Sequence, residues 1–74
     1  MGKEMEKLLK LLPHWIEHNE EHAGRFLEWA EKARAMGAEE TAQKIERAVE
    51  LIRASNQELT AALKELETKH IPYV

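Results

Sequence analysis

The stretch Lys32-Ala33-Arg34-Ala35-Met36-Gly37-Ala38-Glu39-Glu40 decides how this chain folds. Gly37 suits the left-handed backbone conformation that ends an α-helix, and Lys32 and Arg34 just before it complement the negative end of a helix dipole. Glu39 and Glu40 follow at once, where carboxylates favour the positive first turn of a new helix. One helix therefore stops and another starts within a tight turn, a connection so short that the two must be antiparallel neighbours.

Working outward from the turn, apolar residues recur at alternating steps of three and four on both sides. The N-terminal side gives Met5, Leu8, Leu12, Trp15, Asn19, His22, Phe26, Trp29, Ala33 and Met36. The C-terminal side gives Ala38, Ala42, Ile45, Val49, Ile52, Asn56, Leu59, Leu63 and Leu66. This period belongs to helices of a bundle. It predicts an all-α fold, an antiparallel two-helix hairpin occupying 1–74 as a single domain. Helix 1 runs over about 3–36, the turn lies at 37–38, helix 2 covers about 39–69 and a tail fills 70–74. Ile71-Pro72-Tyr73-Val74 cannot extend helix 2 and is expected to fold back onto the hairpin end. Pro13 lies inside helix 1, where it removes a backbone donor. Because the apolar seam continues through it, a kink near Pro13 is expected rather than a break.

If the chain turns at Gly37, residues whose numbers sum to about 75 share a height along the hairpin. Phe26 then lies level with Val49, Trp29 with Ile45, Leu12 with Leu63 and Asn19 with Asn56. His22 is half a turn away. The polar residues of both seams, Asn19, His22 and Asn56, thus converge on one mid-hairpin layer, with Ser55 beside it. Such a layer fixes helix register.

Each helix also carries a third apolar row, Leu9, Ile16, Ala23 and Ala30 on helix 1 and Ala48 with Ala62 on helix 2. A two-helix seam does not need this row, and leaving it wet forgoes about 25 cal/mol per Å². The row is therefore expected to face a second subunit, so that two hairpins dimerise into a four-helix bundle. A higher symmetric oligomer or a different helical protein is the alternative.

Composition supports the need for help. A chain of 74 residues has a marginal core, and without cysteine neither a disulfide nor a thiolate metal site is available. A bound ion or self-association remains. The net charge of −3, with no basic stripe, excludes electrostatic nucleic-acid binding. The run Lys7-Leu8-Leu9-Lys10-Leu11-Leu12 is too short to span a bilayer, and Lys10 interrupts it. Gly2 is not followed by Ser or Thr at position 6, so myristoylation is not signalled. A cytoplasmic protein that does not engage membranes is expected.

The segment that points to chemistry is His14-Trp15-Ile16-Glu17-His18-Asn19-Glu20-Glu21-His22. Three imidazoles at i, i+4 and i+8 form a slanting line, each step turning about 40° around the axis. Two histidines four apart chelate one divalent ion from a single helical face. His18 with His22 is the better pair, lying next to the core, and His14 is more exposed. Glu17, Glu21 or residues of a second subunit would complete the shell. Nitrogen and oxygen ligands without sulfur suit Zn²⁺, Ni²⁺, Co²⁺ or Cu²⁺. Asn19, Asn56 and Ser55 would then support the ligands. The same residues also fit a plain structural reading, in which solvated histidines neighbour carboxylates and the asparagines fix register.

Other chemistries fit less well. A di-iron bundle needs Glu three residues before His, whereas Asn19 precedes His22 and Trp15 precedes His18. A haem would need Met5 or Met36, both far along the helix from His22. No Ser or Cys nucleophile has a base beside it, so an enzyme is the less favoured reading.

The string from His14 to His22, followed by Trp29-Ala30-Glu31-Lys32-Ala33, resembles a family of small uncharacterised helical-hairpin proteins of bacteria and archaea. The resemblance implies a helical hairpin over most of the chain and attaches no activity to it.

Overall fold

A computed structural model describes residues Gly2 to His70 as two long helices, α1 (Lys3–Ala35) and α2 (Glu39–His70), with no strand among the described residues. The hairpin expected from the sequence is therefore the fold. Of the tail expected over 70–74, His70 is the last residue of α2 and 71–74 lie outside the described residues. The helices run side by side as a rod of 59 × 17 × 17 Å.

Helix α1 opens on Gly2, whose carbonyl accepts from the Met5 amide at 3.1 Å, with Glu4 and Glu6 in the positive first turn. It runs unbroken through Pro13, which is exposed on the outside of the rod. At its end, the Gly37 amide donates to the Arg34 carbonyl at 3.0 Å and the Ala38 amide to the Ala33 carbonyl at 2.8 Å. These two bonds, with Gly37 at φ +86°, make a Schellman motif. Ala38 then packs against the buried cluster of Ala30, Ala33 and Ala42, an apolar contact of the kind that accompanies such a cap.

A Cβ at position 37 would meet nothing within 4 Å, so only the backbone conformation opposes a side chain there. Left-handed geometry costs an L-residue about 1–2 kcal/mol. Gly37→Ala is expected to lower the melting temperature by roughly 5–10 °C in thermal unfolding followed by circular dichroism. An unchanged midpoint would show that the turn does not depend on glycine.

The register agrees with the height rule. Asn19 Nδ2 donates to Asn56 Oδ1 at 2.9 Å, joining residues whose numbers sum to 75. Asn56, only 6% exposed, donates from its own amide to the Ile16 carbonyl at 3.0 Å and to Glu20 Oε2 at 3.2 Å. No buried side-chain polar atom among the described residues lacks a partner, so this layer carries no desolvation penalty for an unmade bond. It differs from the expected layer in membership. Glu20 belongs to it, His22 is only half-buried and takes no hydrogen bond in it, and Ser55 is exposed.

The largest departure from expectation is the seam. Helix α1 offers three rows of seven-residue spacing, and the seam was expected to use the row Leu8, Trp15, His22, Trp29, Met36. Instead that row turns outward, with Trp15 41%, Trp29 56% and Met36 73% exposed. The expected outer row supplies the contact, since Ala23 and Ala30 are fully buried together with Leu12, Ala33, Ala42 and Val49. The physical reason is size. Alanines facing alanines allow two helix axes to approach toward the close end of the usual 8–10 Å range, and an indole between them would hold them apart.

The opposite edge of the hairpin is held by charge. Arg34 bonds Glu46 with both terminal nitrogens, Nη2 to Oε1 at 2.9 Å and Nη1 to Oε2 at 3.1 Å. It also bonds Glu39 from Nε at 2.9 Å and Glu31 from Nη1 at 3.2 Å. This clips the end of α1 to α2 on either side of the turn. The Glu46 and Glu39 carboxylates raise the Arg34 pKa, and hydrogen bonds from Arg34 hold both of theirs below the ordinary value of 4.5. Groups with depressed folded-state pKa stabilise the fold above their unfolded pKa, and that contribution is lost as pH falls through the folded value. Arg34→Ala is therefore expected to be less stable than wild type at neutral pH. The gap should close as both are acidified below about pH 4, in urea unfolding at a series of pH values. A gap that persists at low pH would contradict the clip.

Candidate functional site

Turning the row Trp15, His22, Trp29 outward creates a face with an unusual composition. At 100° per residue, His18 and Phe26 flank this row on α1. The rows Ile45, Ile52, Leu59 and Ala48, Ser55, Ala62 border it on α2. None of the 11 Lys and Arg or 14 Asp and Glu residues of the chain occupies these positions. Phe26, Trp29, Ile45 and Ala48 line an entirely apolar groove of about 350 Å³. Toward the middle of the hairpin, Trp15, His18, Asn19, His22 and Leu59 line a second groove of about 410 Å³. The other side of the seam contrasts with it, lined by Ile16, Glu20, Arg53, Asn56, Gln57 and Thr60.

The residues expected to face a second subunit therefore part company. Ala48 and Ala62 lie on the uncharged face, Ile16 and Leu9 fall on the charged side, and Ala23 and Ala30 are spent inside the chain. The spare apolar surface exists, but aromatic side chains that looked like core carry it.

His18 and His22 stand in the middle of this face with their Nε2 atoms 2.8 Å apart. Their ring planes lie within 14° of each other and their centroids 4.5 Å apart. Nitrogens this close are inside van der Waals contact distance, about 3.5 Å, so the rings are offset with their nitrogen edges facing. One Nε2 donates and the other accepts, the direction being set by tautomer. His22 continues on to Phe26, 5.9 Å between centroids. His14 sits edge-on to His18 at 6.0 Å and does not join the pair. Glu17 and Glu21, expected as further ligands, are exposed on the outer surface. Among the described residues, no group of three or more His, Asp or Glu side chains is gathered to hold a metal ion. A single chain offers two imidazole nitrogens, half of a four-coordinate shell.

Two features were missed in the sequence. Lys32 places its ammonium 4.3 Å above the Trp29 ring, screening part of an otherwise wet indole. Arg34, read only as a dipole partner, is the hub of the turn clip; an arginine and a glutamate five apart across a glycine turn were the available signal.

The described residues thus make a small all-α hairpin with an aromatic outer face and a central imidazole pair. The chain belongs to the family described as a domain of unknown function (DUF8180), which matches residues 8–66. An uncharacterized protein of Archaeoglobus fulgidus is 42% identical over 59 residues, covering 80% of this chain and 94% of the relative. No solved structure matches.

Proposed function

We propose that this chain is a self-assembling helical module whose uncharged face is covered by a second copy of itself, giving a four-helix bundle. The observation that carries the reading is the outward Trp15–His22–Trp29 row, two half-exposed indoles in rows that contain no charged residue, with the Lys32 ammonium reaching over Trp29 at one edge. The Trp15–Trp29 stretch, a rise of about 21 Å, lies at the centre of a rod side that projects at most about 1,000 Å² from its 59 Å length and 17 Å width, the order of the roughly 800 Å² per partner of a standard stable interface. Rows without charged residues can pair with their own copy without like charges meeting at the centre, as an isologous interface requires, while Lys32 stays at the edge beside Trp29. No helix among the described residues is long and apolar enough to cross a membrane. Sedimentation equilibrium at micromolar concentrations is expected to return twice the mass of one chain. A single-chain mass throughout that range would overturn the reading.

The 2.8 Å separation of the His18 and His22 nitrogens favours a second role for the same face, uptake of a divalent transition metal. Imidazole nitrogen as a donor type suits Zn²⁺, Ni²⁺, Co²⁺ and Cu²⁺. An ion that binds only the folded protein raises its stability, by about 2.7 kcal/mol at a hundredfold excess over Kd. Thermal unfolding with each of the four ions is expected to show a higher midpoint with at least one, and no shift with any would refute metal uptake.

A further inference from the structure

We propose that the His18–His22 pairs of two copies meet on the two-fold axis of the dimer and hold one divalent ion among four imidazoles. The inference rests on the assembly reading above and adds to it the ligand set, stoichiometry and symmetry of the site.

The position of the pair carries the argument. Helix α1 runs from Lys3 to Ala35, so its middle is residue 19, and the pair straddles position 20. An isologous two-fold axis through the centre of a face maps that centre onto itself. Residues of the two copies whose numbers sum to about 40 then lie opposite one another on antiparallel α1 helices. Trp15 of one copy meets Phe26 of the other within one residue's rise, and Trp29 meets Leu11. Apolar groups face apolar groups along the interface. At the axis, His18 faces His22 of the other copy and each pair faces its equivalent.

The chemistry at that point is narrowly defined. One chain supplies two nitrogens and gathers no third ligand among the described residues, so the shell is incomplete without the second copy. The face brings no carboxylate to the axis, and Glu17 and Glu21 lie on the outer surface. The ligand set is therefore nitrogen alone. At metal–nitrogen distances of about 2.0–2.1 Å, a 2.8 Å nitrogen separation subtends an angle of about 86° at the ion. That is close to the right angle of a tetragonal shell, whereas a tetrahedral ion would need the nitrogens about 3.4 Å apart. Square-planar or tetragonal nitrogen ligation is the preference of Ni²⁺ and Cu²⁺. For both Nε2 atoms to ligate, the donor ring must carry its proton on Nδ1 instead, after which the rings turn to aim both lone pairs at one ion.

An ion on the axis ties the two copies together, so metal tightens assembly and assembly tightens metal binding. Equilibrium dialysis of the full chain against Ni²⁺, with sedimentation of the same samples, tests this. One ion per two chains is expected, with a dimer that persists at more than tenfold lower protein concentration than the chelator-treated protein. His18→Ala and His22→Ala should each abolish the binding and the tightening while retaining helical circular dichroism, and His14→Ala should retain both. One ion per chain, or binding that survives His18→Ala, overturns the shared site. A dimer that binds no Ni²⁺ overturns it while sparing the assembly reading. A monomer with and without Ni²⁺ overturns both.

Discussion

Trp15→Glu combined with Trp29→Glu is expected to convert the assembled protein into a folded monomer. The two indoles are 41% and 56% exposed in one chain, so about half of each ring remains for a partner to cover. A tryptophan buries on the order of 200 Å², and half of that at about 25 cal/mol per Å² is roughly 2.5 kcal/mol per ring. Two rings from each copy place on the order of 10 kcal/mol in the interface, which corresponds to more than a millionfold in Kd. Glutamates facing the partner add desolvation and mutual repulsion. Within the chain neither indole lies in the α1–α2 seam, but the covered half of each ring is lost as well, so the variant is expected to keep its helical fold with a lower melting temperature. Sedimentation should therefore report a monomer while far-ultraviolet circular dichroism remains that of wild type. A variant that still dimerises would move the interface elsewhere; one that unfolds would return the tryptophans to the seam.

Leucine at Ala23 or Ala30 is expected to produce the opposite pattern. Both alanines are fully buried where α1 meets α2, and added methylenes there force the helices apart at about 1–3 kcal/mol per site. For a chain with the marginal stability of small domains, the double variant approaches the whole folding free energy. Each single variant should lose roughly 5–15 °C in melting temperature, and the pair should lose cooperative unfolding. Ala54→Leu, an exposed position on α2 away from both the seam and the aromatic face, should leave the melting temperature within a few degrees of wild type. Equal effects at Ala30 and Ala54 would contradict the division between seam and outer face.

These two experiments bear on the one point the sequence left undecided. The turn was legible because Gly37 and the charges around it obey local rules, and the register followed from it by arithmetic that the Asn19–Asn56 hydrogen bond reproduces. The pairing of His18 with His22 was legible because helical spacing alone brings residues four apart together. What periodicity does not reveal is which two of three apolar rows turn inward. Trp15 and Ala23 are equally apolar on a helical wheel, and only the volume between two helices distinguishes them. Close approach selects the alanine row, and the aromatic row that looked like core becomes surface. His22 follows its row outward, which is why it leaves the asparagine layer and joins His18 instead. The Arg34 clip was illegible for a different reason: long side chains reaching across a turn have no period.

The most direct measurement of the account uses the absence of native cysteine to place a single spin label in each of two variants. One carries Arg25→Cys, near the middle of α1, and the other Met36→Cys, at the hairpin end, where the native methionine is 73% exposed. Pulsed dipolar spectroscopy reads the distance between labels of two copies. Pairing of the aromatic faces about an axis at the histidines predicts a short distance at position 25. The same axis sets labels at position 36 about 50 Å apart, from sixteen residues of helical rise on either side. Absence of dipolar coupling in both, or a short distance at position 36, would contradict it.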